Sequence, residues 1–218
     1  MANSRMPAVR AETGVVREVE GREIGIERVY HVPDIHPHGL GPWRDEPDKI
    51  TWHDADTGLG CIVRRATEGH LEGFVGVDPG HPLHGFHHDA LGSGFDIAVH
   101  GGLDYSRPCD DGPEERSVCH PDEVVHRGRA RAHGAARRWW FGFSADQPYD
   151  LVPRKAAGIR RGDEALTRPK VYRTIDYMIG ECRALAAQLD AIANGLPLPV
   201  RASVPPVGLD PDRAGDGR

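Results

Sequence analysis

Histidine is the residue type that offers chemistry in this chain. There are 13 histidines, and His81, His84, His87, His88 and His100 fall within twenty positions of one another. Imidazole is the commonest metal ligand and the side chain that titrates nearest neutrality. In His81-Pro-Leu-His84 two rings stand three apart in a turn opened by proline, where they can converge. Three imidazoles, or two with a carboxylate, leave a coordination position for a water whose pKa the ion lowers. The pattern therefore points to His84 and His100 as ligands of a divalent metal (zinc, iron or manganese). His81 would be a further ligand or proton shuttle, and Asp96 or Tyr105 would contact the ligands or the substrate. Asp96 and His100 share a face of one predicted strand but are four residues apart, about 13 Å, whereas ligands of one ion lie within about 4 Å. They cannot both bind it unless the strand is broken, and His100, at the strand end beside Gly101-Gly102, is the better candidate. His87 and His88 read as loop surface, and the competing reading of the whole set is a chance cluster of solvated histidines.

Other chemistry finds no support. The chain has no G-x-S-x-G elbow, phosphate-binding Walker loop, Rossmann glycine fingerprint in a strand-to-helix context, or H-E-x-x-H pair. Cys61 and Cys182 lie in apolar settings and read as buried thiols. Cys109 and Cys119-His120 flank a polar loop, as a disulfide, a reduced pair or a metal clip; C-x9-C-H lacks a fourth ligand and fits no standard zinc knuckle. As a nucleophile-base pair Cys119 and His120 are weak, because neighbours on an extended chain point to opposite faces. Trp139 and Trp140 could stack on bases, and Glu46, Asp48 and Trp52 could edge a cleft or belong to a capped loop.

The elements that must position these groups are short. Ile24, Ile26 and Val29 alternate with polar residues over 22–32, with a slip at Arg28. Ile50–His53 and Leu59–Arg64 read as two strands joined by a turn at Gly58, followed by a strand within Leu71–Val77; connections this tight require antiparallel pairing. Phe95, Ile97 and Val99 give the cleanest period-two signal, and Arg138–Phe143 is aromatic enough for a central strand. A helix is predicted from near Pro169 to Asn194, with Val171, Ile175, Met178, Ile179, Cys182, Leu185, Ala186, Leu189 and Ile192 forming one apolar stripe before Gly195. The expected fold is α+β: an antiparallel sheet of five to six strands with one long C-terminal helix packed on it, long loops and disordered tails. Residues 1–20 are expected as a mobile arm, 21–195 as a single domain, 196–218 as a disordered tail, and 105–137 as a long, partly mobile excursion.

Composition agrees with one modest core. The 218 residues include 27 Gly and 18 Pro, 39% are hydrophobic, and mean hydropathy is -0.51. This excludes a helical bundle or coiled coil and calls for long loops. No run approaches a membrane span and the N-terminus lacks a hydrophobic signal region, so a cytoplasmic location with no membrane partner is expected. A net charge of -6 disfavours nucleic acid as a partner. The charge is uneven: residues 126–170 carry eleven Lys or Arg against four acids, a local +7 that leaves -13 elsewhere. That segment is a candidate surface for an anionic partner, or a solvated loop compensating the rest.

Several blocks resemble an uncharacterised protein family of bacterial and phage genomes: His81-Pro-Leu-His-Gly85, Val99-His-Gly-Gly-Leu103 and Trp139-Trp-Phe-Gly-Phe143, in that order within about residues 43–190. The resemblance implies one domain and supplies no activity. In the family pattern the WWFGF block continues into Asp-Cys-Ala-His, where this chain has Ser144-Ala-Asp-Gln147. Any ligand or acid-base role of that Asp and His is lost here. The functional expectation is thus a small metal-dependent enzyme, hydrolytic, acting on a small-molecule or anionic substrate. The alternatives are a non-catalytic binding protein using 126–170 and its tryptophans, and a domain added to a larger assembly.

Overall fold

Short β-branched and aromatic runs separated by glycine-bearing turns become strands because each can bury one face only by pairing with its neighbour. In the computed structural model, which describes residues 8–91, 95–110, 112–122, 137–156 and 169–200, these are β1 (Arg10–Val19), β2 (Arg22–His31), β3 (Lys49–His53), β4 (Gly60–Arg65), β5 (Leu71–Val77), β6 (Tyr105–Pro108) and β7 (Trp139–Ser144). They form one sheet in the order β1-β2-β3-β4-β5-β7-β6, each neighbouring pair antiparallel. The α+β class holds, with seven strands among the described residues rather than five or six.

The long helix α1 (Ile175–Ala193) lies across one face. Its stripe residues Ile175, Met178, Ile179, Cys182, Leu185, Ala186 and Leu189 are all buried, against Trp52, Cys61, Val63, Val75, Phe141 and Phe143 of the sheet. α1 starts six residues later than Pro169 suggests. Thr174 accepts from the Tyr177 amide as its N-cap, the buried Glu46 carboxylate accepts from the Ile175 amide at 2.8 Å, and Val171 bridges instead to Asp150. Close contact between α1 and β5 depends on Gly73, where a Cβ would lie 2.5 Å from the Phe143 ring and 2.8 Å from Cys182 Sγ.

Two other expectations are corrected. Residues 10–19, assigned to an arm, are the edge strand β1; its exposed faces carry no hydrophobic period, so its pairing with β2 leaves no mark in the sequence. Residues 95–99, the cleanest strand signal, are not a strand. Ile97 and Val99 pack on the core beside α1, and side chains of the helix replace a neighbouring strand. Gln188 accepts from the Ala98 amide and donates to its carbonyl, and Glu181 accepts from the His100 amide. Residues 1–7, 123–136 and 201–218, on which part of the expected arm, excursion and tail falls, lie outside the described residues.

Candidate metal centre

The face of the sheet opposite α1 is covered by the chain that follows β6. A disulfide joins Cys109 to Cys119, and both pack with Val118 on Ile62, Phe74 and Trp140. Lys49, fully buried on β3, fastens the same loop: its ammonium donates to the carbonyls of Glu114, Ser117 (2.9 Å) and Cys119 (3.3 Å). Three acceptors consume the three donors of an ammonium, although burial pulls this group down to about 8. The loop therefore has a fixed end, and the next residue is His120.

His120 is fully buried. Its Nδ1 lies 2.9 Å from Asp122 Oδ1. Among the described residues its Nε2 has no hydrogen-bond partner, and it sits 3.6 Å from Glu27 Oε2. His53, the last residue of β3, stacks obliquely on His120 with ring centroids 4.5 Å apart, its Nδ1 2.7 Å from Glu27 Oε1 and its Nε2 3.6 Å from Asp122 Oδ2. Glu27 reaches this face through a local irregularity. The β1–β2 ladder skips Gly14 and Glu27, Gly14 has φ 66°, and the β2–β3 ladder ends at Arg28. Ile26 and Val29 both enter the core while Glu27 turns to the histidines. One ligand atom each from Glu27, His53 and His120 falls within 4.8 Å of the other two.

The electrostatics fix the roles. Burial alone would raise the Asp122 carboxyl, but the hydrogen bonds to His120 and His53 and the charge of Arg138 outweigh it and hold this group well below the usual carboxylate range. An ionised Asp122 can only accept, so His120 Nδ1 carries the proton and, in the neutral ring, Nε2 holds the lone pair that faces Glu27. His53 is raised above its ordinary value by Asp122, with desolvation opposing and Glu27 assisting. The arrangement is two imidazoles and one carboxylate, with a second carboxylate orienting the buried ring.

No family model, curated protein or solved structure matches this chain.

The five residues singled out from the sequence do not meet at one point. His100 is buried between Asp150, whose Oδ2 is 2.6 Å from Nε2, and the Tyr177 hydroxyl, 2.9 Å from Nδ1. Both ring nitrogens are spent, and Arg173 closes the network through Asp150 Oδ1 at 2.8 Å. His84 is at the other end of β7, its Nε2 on the Arg137 carbonyl at 2.8 Å. The five steps of that strand span about 16 Å, so His84 and His100 do not share an ion. His81 donates from Nε2 to the Leu189 carbonyl at 2.9 Å and accepts the Leu83 amide at Nδ1, tying the loop to the far end of α1. Twelve residues, about 18 Å of helix rise, separate Leu189 from Tyr177. Asp96 is exposed, and Tyr105 packs edge-on against Phe74 on the sheet's other face. The second close ligand group, His87, His88 and Asp89, is made of consecutive residues on the surface, and His88 Nδ1 is already 3.0 Å from Ser106 Oγ.

The missed residues carried a faint signal. The slip at Arg28 marks the irregularity that turns Glu27, and Cys119-His120 marks the loop end, but nothing in the spacing of 27, 53 and 120 announces that they converge. Of the basic segment 126–170, residues 126–136 and 157–168 lie outside the described residues. Within the described part Trp140 is fully buried, and Trp139 donates to the Phe86 carbonyl at 2.9 Å. Among the described residues no helix is long and apolar enough to cross a membrane.

Proposed function

We propose that this protein is a small metal-dependent enzyme of hydrolytic type, holding one divalent ion between Glu27, His53 and His120. The observation that carries the reading is the buried His120 Nε2. It has no hydrogen-bond partner among the described residues, its lone pair is set by Asp122 on the opposite nitrogen, and it points at a carboxylate and a second imidazole within coordinating range. Leaving a buried ring nitrogen unpaired costs about 1–3 kcal/mol, which a metal bond would offset. Nitrogen and oxygen donors of this kind suit zinc, iron or manganese. Three protein ligands leave a position for water, and an ion there brings that water's pKa toward about 7, which makes it a nucleophile for ester or amide bonds. Glu27 and His53 are 44% and 33% exposed in their side chains, so the ligand set opens to solvent on one side while His120 closes the other.

The test is metal content and affinity. Protein stripped with a chelator and reloaded should take one zinc or manganese per chain. Glu27→Gln and His53→Gln, both at partly exposed positions, should weaken binding by at least about tenfold, the cost of one lost ligand, while leaving the fold intact. Loss of binding in a His87→Gln, His88→Gln protein instead, or stoichiometric binding that ignores Glu27 and His53, overturns the assignment.

A further inference from the structure

Beyond the C-terminal end of β2, a cleft of about 310 Å³ is lined by His31, His36, His38, Arg44 and Asp48, with Val32 and Pro33 as its apolar wall. Asp48 is its floor and is 1% exposed. Its Oδ2 accepts the Val32 amide at 2.7 Å, and its Oδ1 accepts from Arg65 Nε at 2.8 Å and lies 2.8 Å from His36 Nδ1. The charge of Asp48 is met from behind by Arg65, itself 3% exposed, and three donors occupy its oxygens. This carboxylate has little left to offer a ligand. Because an ionised carboxylate only accepts, His36 donates from Nδ1 and turns Nε2 away from Asp48.

The remaining groups are of one kind. His31 and His38 have no hydrogen-bond partner among the described residues, and Arg44 is engaged only with its exposed neighbour Asp45, through Nε and NH2. An exposed pair of that sort contributes little and exchanges readily. Asp45, Asp48, Arg44 and Arg65 are the charged residues bonded to the cleft or forming it. Behind the cleft Arg65 is shared between Asp48 and Glu46, whose Oε2 is 3.3 Å from its NH2, so the positive charge the cleft itself presents is that of Arg44 and, when protonated, of the three imidazoles. The cleft imidazoles and Asp48 do not gather their ligand atoms as Glu27, His53 and His120 do. The cleft therefore suits an acceptor-rich anion rather than a cation. Its volume equals that of about ten waters, room for a phosphate and a small organic group.

We propose that this cleft binds the phosphate of a small phosphorylated molecule, with Arg44 as a forked donor and His31, His36 and His38 closing around the oxygens. The site is independent of the metal centre and does not rest on the hydrolytic reading. A purely structural role for the His36–Asp48 pair would hold the 33–38 turn in place and bind nothing.

The intact protein is titrated with inorganic phosphate and then with glycerol phosphate at about pH 6, just below the ordinary imidazole value, while histidine ring resonances are followed by NMR. Saturable shifts confined to His31, His36 and His38 are expected. Arg44→Gln and His38→Gln, both at exposed positions and leaving the thermal midpoint unchanged, should each weaken binding by about tenfold, the loss of one charged hydrogen-bond partner. Glu27→Gln should bind phosphate like the parent protein, separating this site from the metal centre. Absence of saturable shifts, shifts centred on His84, His87 or His88, or an Arg44→Gln, His38→Gln double variant that binds as tightly as the parent each overturns the proposal.

Discussion

Asp122 decides what His120 can do. Its carboxylate accepts the hydrogen bond from the Nδ1–H, leaves Nε2 as the coordinating atom, and is itself gripped by Arg138 through both oxygens at 3.2 and 3.0 Å. Partners that orient a ligating imidazole typically change metal affinity by about 10–100-fold. Asp122→Ala should therefore weaken zinc binding by that factor, read by competition with a chromophoric chelator. The thermal midpoint should move little, since the Asp122 side chain is 34% exposed and the ion pair it loses is partly solvated. Unchanged affinity would reduce Asp122 to an anchor for Arg138. His100 shows the opposite case: a histidine flanked by Asp and Tyr that resembles acid-base machinery in isolation, yet with both nitrogens satisfied inside a closed network, which is how a buried polar cluster specifies a fold.

Among the elements, the contact of α1 with β5 is set by the smallest residue. Gly73→Ala would drive a methyl into the Phe143 ring and Cys182 Sγ, neither of which is the free end of a flexible chain, so a loss of about 1–3 kcal/mol is expected in urea unfolding. Gly14→Ala meets no atom but must adopt φ 66°, and its cost falls on the turn of β2 that delivers Glu27. These two glycines also mark what could be read from sequence. β3, β4, β5, β7 and the stripe of α1 were legible because each buries a regular set of apolar side chains against one partner. β1 was not, since an edge strand exposed on both faces needs no pattern. Residues 95–99 misled for the converse reason: alternation reports which side chains are buried, and Gln188 and Glu181 satisfy the backbone without a ladder. The metal ligands escaped because they come from a strand irregularity, a strand end and a disulfide-anchored loop, three places where periodicity carries no information.

For the molecule as a whole, two buried carboxylates hold α1 and its approach to the sheet, and both make stability depend on acid. Asp48 joins the end of β2, the 33–38 turn and Arg65 of β4, which passes the link through Glu46 and Tyr172 to the start of α1. Asp150 joins His100, Arg173 and the Gln147 amide just ahead of that helix. Burial raises both carboxyls, but hydrogen bonds from His36 in one case and from His100 and Arg173 in the other outweigh it, so each lies below its ordinary value. The folded-state value being the lower one, the unfolded chain takes up protons first as pH falls. The stabilisation is complete above the unfolded carboxyl value of about 3.9 and is lost as pH drops through the folded-state values. At neutral pH Asp150→Asn leaves the buried Arg173 without its counter-charge and should cost about 3–5 kcal/mol. Urea midpoints measured from pH 7 down to pH 3 should show the gap between the parent and Asp150→Asn narrowing only below about pH 4, because there the parent begins to lose what the variant already lacks. A gap that stays constant into acid would mean that the Asp150 charge contributes nothing and that its hydrogen-bond geometry alone pins the helix.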